Sequence, residues 1–416
     1  MSAWLESAID RAESIQDWLS PRRQQSLQLL RERQWPSRKV EDWKYTSVKA
    51  IEAATGQLQE VEIPSELPTS IAGLECIDVS LQNPSAINDL PHGVTISPIN
   101  DSCEAWASEL FGSIKPVRHI FGLVNDVLAT EGVVIDIAPG AVIEQPIRLI
   151  RALSQQQEHH ARVLVRIGEG AKATIIEQFS GDALSLHTTV AEYALDARAE
   201  LVHYRFGLQR ARAIALAGSH FRLGTGANLQ STIVGLGSDL SRVNVDVDHR
   251  GEHANAKLNV IYLLQGSELF DLHSTIEHAV PNCTTEENVR GIVADKSRAV
   301  FNGRIHIHRD AQKTLAELNN RNLLLSNTAE VDTKPELEIY ADDVRCAHGA
   351  TVAELDKKAL YYMQSRGVSV QQAKIMLNFG FINELVEQMP HGELAEWLQP
   401  QLRELFVDMV SDELNK

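Results

Sequence analysis

The residues whose types and spacing best suit chemistry are Cys346 and His348, separated by Ala347. In an extended strand, residues i and i+2 face the same side and stand about 7 Å apart. If the run from Asp343 to His348 is extended, a thiol and an imidazole enter one space. Such a pair suits a shared metal ion, an iron–sulfur cluster or a sulfur species, though two protein ligands alone rarely complete a site of that kind. Asp342 and Asp343 stand just before the pair and Arg345 beside it. Arg345 and a protonated His348 would lower the thiol's pKa and favour thiolate. From these residues alone, Cys346 reads either as a ligand or as a buried structural cysteine.

Other chemistry-bearing residues are weaker. His306 and His308 alternate in Arg304-Ile305-His306-Ile307-His308, so they share one strand face. They read as a metal pair or, more simply, as solvent-facing residues opposite buried isoleucine. His249 with His253, and His273 with His278, are similar: each has Asp or Glu nearby and no third ligand in register. His159 and His160 follow the polar run Gln155-Gln156-Gln157-Glu158 and read as loop residues. Cys283, in Pro281-Asn282-Cys283-Thr284, carries no assigned role. The sequence has no GxxxxGKS or GxxxxGKT run, so no nucleotide binds through a P-loop. It also has no GxSxG, no HExxH and no cysteine run of iron–sulfur type. If the function needs ATP, another chain hydrolyses it.

Composition narrows the classes. A chain of 416 residues exceeds a typical single compact core and suggests several domains or a repeat array. With 44% hydrophobic residues it can bury a large interior. The formal charge of −17 repels phosphate backbones, so no nucleic acid partner is expected. Four scattered cysteines, Cys76, Cys103, Cys283 and Cys346, fit reduced thiols better than a disulfide framework. The acidic, amphipathic start lacks a signal-peptide core, and no apolar run of about eighteen residues occurs, so no membrane span is expected. The expectation is a soluble cytoplasmic protein.

The elements that must position Cys346 and His348 follow from the chain in order. Residues 2–35 read as helices, with Trp4, Leu5, Ala8, Ile9 and Ala12 at helix spacing and a second segment between Pro21 and Pro36. Glu41-Asp42-Trp43-Lys44-Tyr45-Thr46 reads as a packing element locking these helices to the next domain. Residues 50–120 are broken by Pro64, Pro68, Pro84, Pro91, Pro98 and Pro116 into short strands and loops. From about 130 to 345 short β-type runs dominate, such as Val133 to Ile137, Arg162 to Ile167 and Ala173 to Ile176. A small motif recurs there: Pro139-Gly140-Ala141, Glu169-Gly170-Ala171, Ala197-Arg198-Ala199, Thr225-Gly226-Ala227 and Glu252-His253-Ala254. Its alanines stand 30, 28, 28 and 27 residues apart. A fixed period with strands and no helices predicts a parallel β-helix; a Greek-key sandwich is the alternative, and it would not require the period. A solenoid leaves open ends that need covering, and the terminal helical regions are the natural caps.

After Ala353 the pattern is helical. Leu355, Ala359, Leu360 and Met363 form one face, and Gly367 supplies a C-cap. Ser369 with Gln372 reads as a capping box that opens a helix ending before Pro390. A last helix runs from about Glu393 to Val410, and its apolar positions suit either internal packing or a groove-binding face.

The run from Glu330 to Thr351, EVDTKPELEIYADDVRCAHGAT, closely resembles the signature of the SufB/SufD family of iron–sulfur cluster assembly proteins. Phe301-Asn302-Gly303-Arg304, Tyr361 to Gly367 and the Glu41 to Thr46 block resemble flanking family blocks, so the resemblance covers nearly the whole chain. Gly349-Ala350-Thr351 after His348 is similar to the SufD form, where SufB typically has Glu after the histidine. One departure is Ala347, where SufD often has Ser. The resemblance implies a right-handed parallel β-helix flanked by helical regions. It implies partnership with SufB and the ATPase SufC, and self-association as a homodimer. It implies that Cys346 and His348 lie near a subunit interface where a nascent cluster forms. It also implies a non-catalytic scaffold with no tightly bound cofactor in the isolated chain, and transient iron or Fe–S cluster in the complex.

On that reading the chain divides into an N-terminal helical region (1–50), an irregular lead-in (51–130), a β-helix core (131–350) and a C-terminal helical region (351–416). The last would bind SufC through Leu360, Tyr361, Met376, Leu377 and Phe381. Two other readings stand beside it: a β-helix enzyme acting on acidic polysaccharide, disfavoured by the acidic charge, and a purely structural partner of SufB without cluster ligands.

Overall fold

The computed structural model describes residues 2–414 apart from 56, 59–69, 83, 85–89, 102–103, 153–156, 182 and 211. Cys103, Pro64, Pro68 and Gln155-Gln156 lie outside the described residues. The recurring motif is a corner. Gly140, Gly170, Arg198, Gly226 and His253 all have positive φ, between 56° and 71°. A left-handed residue turns the chain sharply, which favours glycine but does not demand it. The residue after it is small and points inward: Ala171, Ala199, Ala227 and Ala254 are fully buried. Two further corners continue the series, Asn282-Cys283 and Lys313-Thr314, again with positive φ followed by a buried small residue.

Between corners the chain runs as strands that stack in register. One sheet contains β1 (Ile77–Ser80), β4 (Ile147–Ala152), β6 (Lys172–Gly181), β8 (Glu200–Gln209), β10 (Asn228–Leu236), β12 (Asn255–Leu264), β14 (Thr284–Val293), β16 (Leu315–Leu324) and β18 (Arg345–Glu354), in that spatial order. The facing sheet contains β2 (Val94–Pro98), β3 (Glu131–Ile137), β5 (Gln157–Ile167), β7 (Ser185–Leu195), β9 (Ala213–Leu223), β11 (Leu240–His249), β13 (Leu269–His278), β15 (Arg298–Ile307) and β17 (Glu330–Ile339). All pairings are parallel except β2 with β3. The product is a parallel β-solenoid of about seven turns, as the period predicted.

Inward residues form one continuous core, including Ile175, Phe221, Tyr262, Phe270, Phe301 and Ile305. Each buried side chain of this size contributes about 1.5–3 kcal/mol, and rings stack along the lumen, as Tyr193 on Phe221 with centroids 4.9 Å apart. His159 and His160 belong to β5 and are buried, not in a loop as expected. The strand simply starts at Gln157, two residues before them.

Both outer faces of the solenoid are also apolar in part, and the helices cover them. The N-terminal set comprises α1 (Ala3–Glu13), α2 (Ser20–Glu32), α3 (Lys49–Thr55), α4 (Ala105–Leu110) and α5 (Ile120–Leu128). Trp4, Trp43 and Phe121 from this set pack with Leu186, Ile214 and Leu216 of the second sheet. The Glu41 to Thr46 block locks on as expected: Arg242 lies 4.0 Å over Trp43 and donates to the Asp42 carbonyl, and Thr46 donates to buried Asp271.

The C-terminal set comprises α6 (Lys357–Ser365), α7 (Val370–Val386) and α8 (Gly392–Leu414). Gly367 ends α6 at φ 85°, and the Ser369 hydroxyl accepts from the Gln372 N–H to start α7. Leu394, Leu398, Leu402 and Phe406 of α8 bury against Tyr204, Phe206, Ile261 and Leu263 of the first sheet. The apolar face of α8 therefore packs internally. The helices cover faces and leave the last turn open, unlike the end caps expected from the sequence. Apolar outer faces demanded the cover first.

Candidate functional site

The site is built by the last turn. β18 pairs only with β16, and β17 only with β15, so each strand is the free edge of its sheet among the described residues. Cys346 is in register with Ala316 and His348 with Leu318. Ala316 and Leu318 both face the core, so the thiol and imidazole face the same way, at the open mouth of the lumen. This is the common face that the i, i+2 spacing required. Cys346 is half-buried and packs against the core, while His348 is exposed. Val331 and Leu337 of β17 and Val344 before β18 border the same mouth, each only partly buried.

The thiol chemistry differs from expectation. Burial pushes the Cys346 thiol up, and no cation offsets it. Arg345, one residue away, lies on the opposite strand face, pairing with exposed Leu315. The Asp343 backbone serves the corner: its N–H donates to the Gln312 side chain and its carbonyl accepts from the Lys313 N–H.

The expected partner-binding residues surround a different surface. Among the described residues no side chain of α6 is fully buried, and Tyr361 and Tyr362 are 73% and 60% exposed. Met376 of α7 is also exposed, at 57%. Leu360, Leu377 and Phe381 are half-buried, and Phe381 packs into the cluster beneath α7 and α8. A cavity of about 460 Å³ opens between these helices and the last turns, lined by Leu324, Leu325, Leu355, Leu360, Lys374 and Asn378 among others.

The histidine pairs regroup. His273 and His278 lie five residues apart on one strand and therefore on opposite faces; His273 meets Asp271 outside. His253 is an exposed corner residue. The real neighbours are His249 and His278, register partners inside the lumen, with Cys283 beside them. Outside, His306 and His308 both bond one oxygen of Glu277, at 2.6 and 2.9 Å, while Arg304 holds the other at 2.8 Å. In each cluster at least one group comes from a neighbouring turn. A spacing of 29 residues, the turn length, was the signal: His249 to His278, and Glu277 to His306.

Residues 150–381 match the family model described as SUF system FeS cluster assembly, SufBD core domain. A parallel solenoid with this match is an iron–sulfur cluster assembly protein. The chain belongs to the SufBD family. It is 30% identical to the iron–sulfur cluster assembly protein SufD of Escherichia coli, over 89% of each chain. It is 30% identical to the chloroplastic protein ABCI7 of Arabidopsis thaliana, over 95% of this chain and 90% of that one. A SufBD family protein of Synechocystis is 27% identical over 90% of this chain and 88% of its own. Among the described residues no helix is long and apolar enough to cross a membrane.

Proposed function

We propose that this chain is the SufD-type, non-ATPase subunit of a SUF assembly scaffold. Its open last turn pairs with a SufB-type chain, or with a second copy of itself, and a nascent cluster is built across that junction. Cys346 and His348 offer one thiol and one imidazole toward it, and the partner completes the ligand set. A SufC-type ATPase docks on α6 and α7 around Leu360, Tyr361, Met376, Leu377 and Phe381, hydrolyses ATP and moves the junction. Transient iron or Fe–S cluster is the cargo, and at this junction the isolated chain holds no tightly bound cofactor.

The observation that carries this reading is the free edge. Two ten-residue strands, β17 and β18, lack neighbours beyond them among the described residues, and β18 is exposed along nearly its whole length. Unpaired edges of that length template pairing with another chain. The half-complete ligand pair sits on the same mouth.

The test reconstitutes cluster on the complex of this chain with SufB-type and SufC-type partners. Cys346→Ser with His348→Gln is expected to assemble normally by gel filtration and to lose cluster yield. Full yield in the double variant would remove both residues from the site and leave a purely structural partner. Met376→Asp with Tyr361→Asp is expected to abolish ATPase capture without changing the circular dichroism; undiminished capture would refute the docking surface.

A further inference from the structure

Two turns below the open mouth, three metal-ligating side chains converge inside the lumen. His249 ends β11 and His278 ends β13, directly in register. Their rings stack with centroids 4.3 Å apart and planes within 9°. Cys283 occupies the corner before β14, where Ala171, Ala199, Ala227 and Ala254 stand in earlier turns. All three residues are fully buried. One ring nitrogen from each histidine and the Cys283 Sγ lie within 4.8 Å of one another.

The hydrogen bonding there does not close. The Thr285 hydroxyl lies 3.0 Å from His249 Nε2 and 3.1 Å from His278 Nε2. A hydroxyl has one proton, so it donates to one ring and accepts from the other. The two Nδ1 atoms are then left as one donor and one acceptor. Neither has a hydrogen-bond partner among the described residues. Buried polar atoms are almost always paired, and two orphans on adjacent rings point to something that fits between or beside them. The Cys283 thiol lies 3.3 and 3.5 Å from the Gly251 and Pro281 carbonyls, and the backbone N–H groups of His253 and Ala254 approach its sulfur. Whichever way the hydroxyl proton points, one of the two Nδ1 atoms keeps a lone pair that no neighbour among the described residues uses.

We propose that His249, His278 and Cys283 form a buried site for a divalent first-row transition ion of borderline softness, Fe²⁺ or Zn²⁺. Two imidazole nitrogens and one thiolate are a donor set those ions favour over Mg²⁺ or Ca²⁺. Because the rings are nearly parallel, one of them turns about χ2 to share the ion. Binding converts the Cys283 thiol to thiolate and releases one proton to solvent, with no change of oxidation state. Thr285, Ala316 and Cys346 stack in one column of three consecutive strands, so the site lies a rise of about 10 Å below Cys346. The site is separate from Cys346 and His348 and does not rest on the pairing proposed above.

The test uses the full-length chain, stripped of metal under anaerobic conditions, in a Cys346→Ser background. Co²⁺ serves as the optical probe. One equivalent is expected to bind with thiolate-to-cobalt charge-transfer absorption and the intense visible bands of a four-coordinate ion, raising the thermal midpoint. Competition by Zn²⁺ and by Fe²⁺ then ranks the two. Cys283→Ala, which restores the alanine of other corners and so preserves the fold, is expected to lose the charge-transfer band. His249→Gln is expected to weaken binding while retaining that band at higher Co²⁺. No Co²⁺ bound to the background chain, or an undiminished thiolate band in Cys283→Ala, overturns the proposal. A failure of cluster assembly in the Cys346 and His348 variants leaves these spectra untouched, so the two readings fail separately.

Discussion

Replacing Glu287 with glutamine should change how stability depends on pH. Glu287 projects into the lumen from β14, in register with core residues Leu258 and Leu318. It is buried, and neither carboxyl oxygen has a hydrogen-bond partner among the described residues. Burial lifts its pKa from 4.5 to about 7, and the nearby Ser274 hydroxyl opposes this only in part. Because the folded value is raised, the folded state holds the proton longer than the unfolded chain. Stability is therefore fully present below about pH 4.5, falls as the unfolded carboxyl ionises, and is lost once pH passes about 7. The lift corresponds to about 3 kcal/mol. Chemical denaturation of both proteins at pH 5 and pH 8 reads it directly. The advantage of Glu287→Gln over wild type should grow by about 2–3 kcal/mol between those values. His119 and His278, each depressed to about 4, act in the opposite sense as pH falls below their ordinary 6.5. They are present in both proteins and cancel in the difference. An advantage that is equal at the two pH values would refute the isolated, buried carboxyl.

Two further substitutions probe the frame. Arg162 is fully buried between Asp126, at 2.8 Å, and Glu192, joining α5 to the second sheet. Arg162→Met should cost about 3–5 kcal/mol in denaturant unfolding, because it removes the cation shared by two buried carboxylates, although three backbone N–H groups still reach Glu192, and adding Glu192→Gln should cost less than the sum of the two single changes; strictly additive costs would count against the coupled network. Gly170 has φ 67° with open space around it, whereas a Cβ on Gly168 would stand 2.6 Å from the Pro139 backbone nitrogen. Gly170→Ala should therefore cost about 1–2 kcal/mol from the left-handed backbone alone, and Gly168→Ala should lower the melting temperature further; the reverse order would contradict the corner geometry.

The solenoid was legible because its corners repeat a small residue behind a left-handed one, and five copies share an alanine. The sixth and seventh copies hid behind different letters: Asn282 and Lys313 replace the glycine, and Cys283 and Thr314 replace the alanine. What the corner conserves physically is positive φ and small inward volume, and a search for Gly-Ala misses that. The same blindness hid the lumen histidines. Reading within one strand paired His249 with His253, yet a strand's closest side-chain neighbours here lie one turn away in sequence. The i, i+2 placement of Cys346 and His348 survived because it needs only one strand. The cover of both outer faces was not legible, since outward apolar residues such as Leu186, Ile214, Tyr204 and Phe206 read as ordinary strand positions until the sheets are stacked.

Placement also changes what Cys346 is. Arg345 was expected to favour thiolate, but alternation puts it on the far face, and burial raises the thiol instead. The isolated chain therefore presents a protonated, half-buried thiol beside an exposed imidazole. A thiol in that state is a poor nucleophile and a poor ligand until a metal or a positive neighbour displaces its proton. Within the proposed complex, those agents arrive only when the mouth is covered by a partner and cargo is present. On that reading a partner over the edge would bring further donors to two residues already aligned. On the proposed reading, proton release at Cys346 would accompany assembly of the junction, because the open turn by itself supplies only one thiol and one imidazole.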